Sequence, residues 1–205
     1  MKNKTKKCGI IMPIASMDDG YTKQHWGLVR DEIISAVNSS GYKCEMVSET
    51  SVEPIIMKSI VTNIANNPII VCDVSNNNPN VLFELGLRFA LGKPTIIIKD
   101  ENTKFIFDLG SYRQILYNKN LKPDTVKKLK DDIVKAILRI ENATDVELIQ
   151  HSFLKAFLKD ESYIKVMQSD TTAIDNLARL VEGMSKEIKE LKSRSMSRGQ
   201  KLFYS

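Results

Sequence analysis

The 205-residue sequence predicts an α/β fold: a parallel, flavodoxin- or Rossmann-like sheet flanked by helices, followed by an α-helical C-terminal extension. Two observations carry this. Short continuous apolar runs alternate with helix-period segments through the first two-thirds of the chain, the pattern of strands buried on both faces. After Leu121 no strand signal appears, and the periodicity is helical throughout.

CGIIMPI (8–14) is an apolar run ending at a proline, read as a buried first strand. From about Thr22 to Ser40, Trp26, Val29, Ile33, Ile34 and Val37 recur at helical spacing, and Gly41 sits where such a helix should stop. YKCEMV (42–47) alternates as a second strand. Pro54 begins a helix with Ile56, Ile60 and Ile64 on one face. PIIVCDV (68–74) is a third, fully apolar strand, followed by the polar loop SNNNPN and the apolar helix VLFELGLRFALG. PTIII (94–98) is a fourth strand and RQILY (113–117) a fifth. Helices are expected over 122–142, 145–166 and 170–194. In the last, Ile174, Leu177, Val181, Met184, Ile188 and Leu191 are spaced 3, 4, 3, 4, 3, the seam of about three heptads. The expected division is an α/β domain over 1–142 and a helical extension over 143–205 that mediates self-association.

Composition removes several function classes. The net charge is +5, but residues 1–120 carry 14 basic against 12 acidic residues, and four of those lysines lie in the first seven positions. Two basic tails on a near-neutral body do not make a nucleic-acid-binding face. Cys8, Cys44 and Cys72 are odd in number and contain no CxxC pair, which argues against a disulfide framework or zinc module and fits a reducing, cytoplasmic setting. Two distant histidines, His25 and His151, leave little material for a metal centre or a serine triad. No metal and no cofactor is expected. The opening MKNKTKKCGIIMPIASM is superficially like a secretion signal, yet its apolar run is short, holds Pro13 and leads into Asp18-Asp19. No apolar stretch approaches the ~20 residues of a membrane span.

Candidate chemistry concentrates in residues 72–98. In a parallel sheet ligands bind beyond the carboxyl ends of the strands, which selects the loops after Ile14, around Glu49 and after Asp73. Asp73 ends a buried strand. Eleven residues later Glu84 lies in an apolar helix among Leu82, Phe83, Leu85 and Leu87, where partial burial would raise its pKa. If the two carboxylates met at the strand-end crevice they would suit glycosidic chemistry, one at the anomeric carbon and one at the leaving group. Two plainer readings stay open: Glu84 and Arg88, spaced i, i+4, as a helix ion pair, and Asp73 as a loop-capping residue. The GKPT at 92–95 is no phosphate-binding loop of Walker type, and neither GxGxxG nor GxSxG occurs.

The block resembles the nucleoside 2-deoxyribosyltransferase-like superfamily. That superfamily has an Asp at a strand end, then a loop, then a helix bearing F-E-L-G, a later Ala and K-P. Here these are Asp73, Phe83-Glu84-Leu85-Gly86, Ala90 and Lys93-Pro94, with IIMPI, His25-Trp26, GYKC and FDLGSYRQILY similar to a bacterial branch. The resemblance implies cleavage of the N-glycosidic bond of a nucleotide or nucleoside. Glu84 would be the nucleophile at C1′ and Asp73 would help the base leave, with the sugar passing to water or to another base. It also implies a substrate subsite around Pro13, Ile14 and Gly86. Relatives resembling this branch serve as toxic effectors in bacterial anti-phage systems, including retron-associated ones, so a defence role and a regulatory or retron-type partner are expected. Where the deoxyribosyltransferases carry an acid six positions before the nucleophile, this chain has Asn78. That change removes repulsion toward a 5′-phosphate and suggests a nucleotide held by Asn78, Asn80 and the helix-start amides. Trp26 would stack on a base, His25 donate to a phosphate and Arg113 bind phosphate. The rival readings are a nucleotide-sensing module that binds without cleaving, and a TIR-like NADase.

Overall fold

The structure is a computed structural model that describes residues 6–48 and 56–144. Five parallel strands, β1 (Lys7–Ile11), β2 (Lys43–Met46), β3 (Ile69–Asp73), β4 (Thr95–Asp100) and β5 (Gln114–Tyr117), form one sheet in the order β2-β1-β3-β4-β5. Four helices accompany them: α1 (Lys23–Ser39), α2 (Ile56–Asn66), α3 (Pro79–Ala90) and α4 (Pro123–Asn142). This is the expected flavodoxin-like arrangement, whose order reverses between β1 and β3. The first apolar run is β1, as read from the sequence, and pairs on both sides. The helices expected over 145–166 and 170–194, and with them most of the 143–205 extension, lie outside the described residues.

Strand alternation divides the core in two. Cys8, Ile10, Ile69, Val71, Ile96, Ile98, Ile115 and Tyr117 share one apolar cluster with Trp26, Val29 and Ile33 of α1 and Leu129, Ile133 and Ile137 of α4. The intervening Ile11, Ile70, Cys72 and Ile97 face the other way, where α2 and α3 pack and Val61, Ile64 and Leu85 are buried. Every residue of β3 is buried, the expectation for a central parallel strand, and each large apolar side chain so enclosed contributes roughly 1.5–3 kcal/mol.

The ends of the elements follow local chemistry. Thr22 N-caps α1, its hydroxyl accepting from the His25 amide at 3.1 Å. Gly41, just beyond the C-cap, adopts φ +80°, which only glycine reaches without cost. The Asn run after β3 has the same logic: Asn76 and Asn77 take φ 55° and 50°, a left-handed pair that Asn tolerates better than most residues. Asn78 then caps α3, with Pro79 in its first turn.

Candidate active site

At the carboxyl ends of β1 and β3, where the strand order reverses, lies a cavity of about 360 Å³. Its walls are residues 10–15 at the end of β1, Ser48 after β2, residues of the Asn78–Glu84 stretch at the start of α3, and Ile60 of α2; the loop singled out around Glu49 lies outside the described residues. The lining is mostly apolar. Glu84 is the only charged side chain among the described residues that line it.

Glu84 stands in the second turn of α3, one turn from Val81 and beside Leu85, both buried. Burial pushes its carboxyl up to about 7, and among the described residues no neighbouring charge contributes to that shift. The i, i+4 ion pair with Arg88 does not form. Arg88 is fully buried and spends its guanidinium on carbonyl oxygens at the other end of the sheet: Nη1 donates to Ile64 (2.6 Å) and Asn67 (2.8 Å), Nη2 to Pro68 (3.0 Å) and Pro94 (2.9 Å). Lys93 donates to the Ala65 carbonyl nearby. The two cations thus satisfy the C-terminal end of α2, where carbonyls lack helical partners and the helix dipole is negative. Arg88 and Lys93 are thus engaged with carbonyl oxygens, while Glu84 lines the cavity.

Asp73 does not join Glu84 there. By strand alternation its side chain lies on the α1/α4 face of the sheet, whereas Glu84 is on the α2/α3 face, and it is Cys72 that feels the Glu84 charge. Asp73 is fully buried in a polar network: Oδ1 accepts from the Ser75 amide (3.0 Å) and hydroxyl (2.5 Å), and Oδ2 from the Tyr117 hydroxyl (2.8 Å). The loop-capping alternative describes its contacts.

Five of the expected site residues line the cavity: Pro13, Ile14, Asn78, Asn80 and Glu84. The others do not. Trp26 is core: its ring stacks on Tyr21 at 5.0 Å, and its Nε1 donates to the Ala15 carbonyl at 3.0 Å. His25 packs edge-on against the same two rings, its Nε2 buried without a partner and its pKa lowered by burial and by Lys119. Gly86 is exposed on the far side of α3, two residues or about 200° round from Glu84. Arg113 precedes β5 and so stands at the amino end of the sheet, lining a separate cavity of about 210 Å³ against α4. Asn78 lines the site, but its Oδ1 accepts from the Asn80 and Val81 amides (3.0 and 3.2 Å) and its Nδ2 faces the Met17 sulfur. The helix-start amides expected to hold a phosphate are therefore already capped.

Sequence reasoning passed over Phe83, Met12 and Ser48 as site residues. Phe83 and Ile14 remain 39% and 57% exposed, so two large apolar side chains stand at this cavity in partial contact with water. A bulky aromatic immediately before Glu84, out of step with the buried Val81, Leu85, Arg88 face, was the available signal. Among the described residues no cluster of His, Cys, Asp and Glu has the makings of a metal centre, and no helix is long and apolar enough to cross a membrane.

No family model matches the chain, and no curated protein matches it. Among solved structures, that of the Clostridium botulinum CMP N-glycosidase BcmB aligns with 62% of this chain and 99% of its own, at 16% identity and a TM-score of 0.45.

Proposed function

We propose that this protein is an N-glycosidase acting on nucleosides or nucleotides, with Glu84 as the nucleophile. One observation carries the reading: a carboxyl group without a counter-ion among the described residues, its pKa raised by burial, lines an apolar cavity at the switch point of a parallel sheet. Such a group is costly to keep unless it has work to do. The Glu84 carboxylate attacks C1′ of the sugar and the C–N bond breaks. The base leaves with the bonding pair and takes a proton from water. A second water then attacks C1′, releases the sugar and restores Glu84. Pro13, Ile14 and Phe83 supply apolar surface for a planar base, and the partial burial of Glu84 strengthens its interaction with the developing oxocarbenium charge.

The test is direct. Purified protein is incubated with nucleosides, nucleotides and NAD, and free base or nicotinamide is followed by chromatography. Base release that disappears in Glu84→Gln supports the reading. Saturable binding without release would replace it with the sensing module, and release of nicotinamide alone with an NADase.

A further inference from the structure

Asp73, Ser75 and Tyr117 form a closed triangle of oxygens. Besides the two contacts to Asp73 already described, Ser75 Oγ and the Tyr117 hydroxyl lie 3.0 Å apart. With Asp73 ionised, two hydroxyl protons must serve three oxygen–oxygen contacts. With Asp73 protonated, three protons close the ring. Ser75 Oγ also accepts from the Asp100 amide at 2.9 Å, which ties the triangle to the end of β4.

Among the described residues the surroundings offer Asp73 no cation. From β4 it faces Asp100, fully buried and itself held by Tyr21 Oη and the Asn102 amide at 2.8 Å each. From β5 it faces Tyr117, and on its own strand it adjoins Cys72. The β1–α1 connection brings Tyr21, and α1 brings His25 beyond it. The helix α4 contributes apolar Leu129, Ile133 and Ile137 to this side of the sheet. Lys119 sits over the outer face of the Tyr21 ring and donates to the Asp19 carbonyl. Burial accordingly raises Asp73 to about 6.

What the triangle holds is the loop that leads to the cavity. Ser75 is followed at once by the left-handed pair Asn76 and Asn77, a conformation that persists only where its surroundings enforce it. Next comes Asn78, which caps α3 and lines the cavity two turns before Glu84. The Asn76 amide is pinned in turn to Thr103 Oγ1 at 3.0 Å.

We propose that Asp73 is a positioning residue rather than an acid for the leaving base: its carboxyl bonds Ser75 and Tyr117 in either protonation state, and so fixes the 75–78 loop and, through it, the placement of Glu84. This rests on the reading of Glu84 as nucleophile. Asp73→Asn is the informative variant. An amide keeps an acceptor for Ser75 and brings its own N–H to Tyr117, so it completes the ring at every pH. The expected result is base release within about threefold of wild type. Tyr117→Phe removes one corner of the ring and should lower kcat about tenfold with KM unchanged, a split that loss of folded protein alone does not produce. Loss of base release in Asp73→Asn as deep as in Glu84→Gln would overturn the proposal, as would full kcat in Tyr117→Phe.

A readout independent of activity separates failure here from failure of the glycosidase reading. A group whose pKa is higher folded than unfolded stabilises the fold while protonated, and that contribution fades as pH rises from the ordinary Asp range through about 6. The Tm of Asp73→Asn should match wild type near pH 4 and exceed it above pH 6. A Tm difference that does not change with pH would overturn the ring even if base release were observed.

Discussion

Arg88 stands one helical turn beyond Glu84, yet the two side chains run to opposite ends of α3. The arginine reaches the amino end of the sheet, where its two terminal nitrogens donate to four carbonyl oxygens; the glutamate faces the cavity at the carboxyl end. An i, i+4 spacing that usually marks a surface ion pair here separates a carbonyl-bound cation from a carboxylate that lines the cavity.

Replacing Glu84 by Gln keeps size and polarity and removes the proposed nucleophile. Base release should fall on the order of 10³-fold or more. Ligand binding, followed by calorimetry, should survive, because the cavity walls are unchanged.

The pH dependence of activity follows from the same side chain. Attack needs the ionised form, so kcat should rise with pH through about 7. Stability should move in the opposite sense. The folded state binds the Glu84 proton more tightly than the unfolded chain, so the stabilisation is complete below about 4.5 and lost as pH climbs through about 7. Glu84→Gln should therefore be more stable than wild type at pH 8, by roughly 1–3 kcal/mol, and indistinguishable near pH 4. Urea titrations at the two pH values read this directly.

Arg88→Ala should be severely destabilising, by about 3 kcal/mol or more, because it strips partners from buried carbonyls and opens a void. Chemical denaturation measures the loss. Arg113→Ala, at the same end of the sheet but exposed, should leave stability within ~0.5 kcal/mol and both kcat and KM unchanged. A rise in KM for a phosphorylated substrate in that variant would restore Arg113 to the site.

Trp26→Phe separates core from ligand contact. It should cost about 1–3 kcal/mol from lost packing and the lost bond to Ala15, without raising KM. Thermal melts and steady-state kinetics on one preparation distinguish the two.

The heptad seam over 174–191 gives an independent expectation. Deleting residues 170–205 should lower the mass measured by light scattering from that of an oligomer to that of a monomer. An unchanged mass would remove the assembly role.

The sequence by itself determined the class of fold and most of its elements, because buried parallel strands and amphipathic helices write their periods directly into the chain: Ile69 to Asp73 could hardly be anything but a central strand, and Trp26, Val29 and Ile33 mark a helix face. It also pointed to the chain segments after β1 and β3 that wall much of the cavity and, within them, to Glu84, an acid out of place among leucines. Which side chains share that cavity was decided only by tertiary structure. Strand parity sends Asp73 to one face of the sheet while α3 packs on the other, and the helical period turns Gly86 away from Glu84. Trp26 is drawn into the core by Tyr21, and the Asn78 carbonyl is taken by amides of its own helix. Linear spacing records none of these, since each depends on where a neighbouring layer happens to lie.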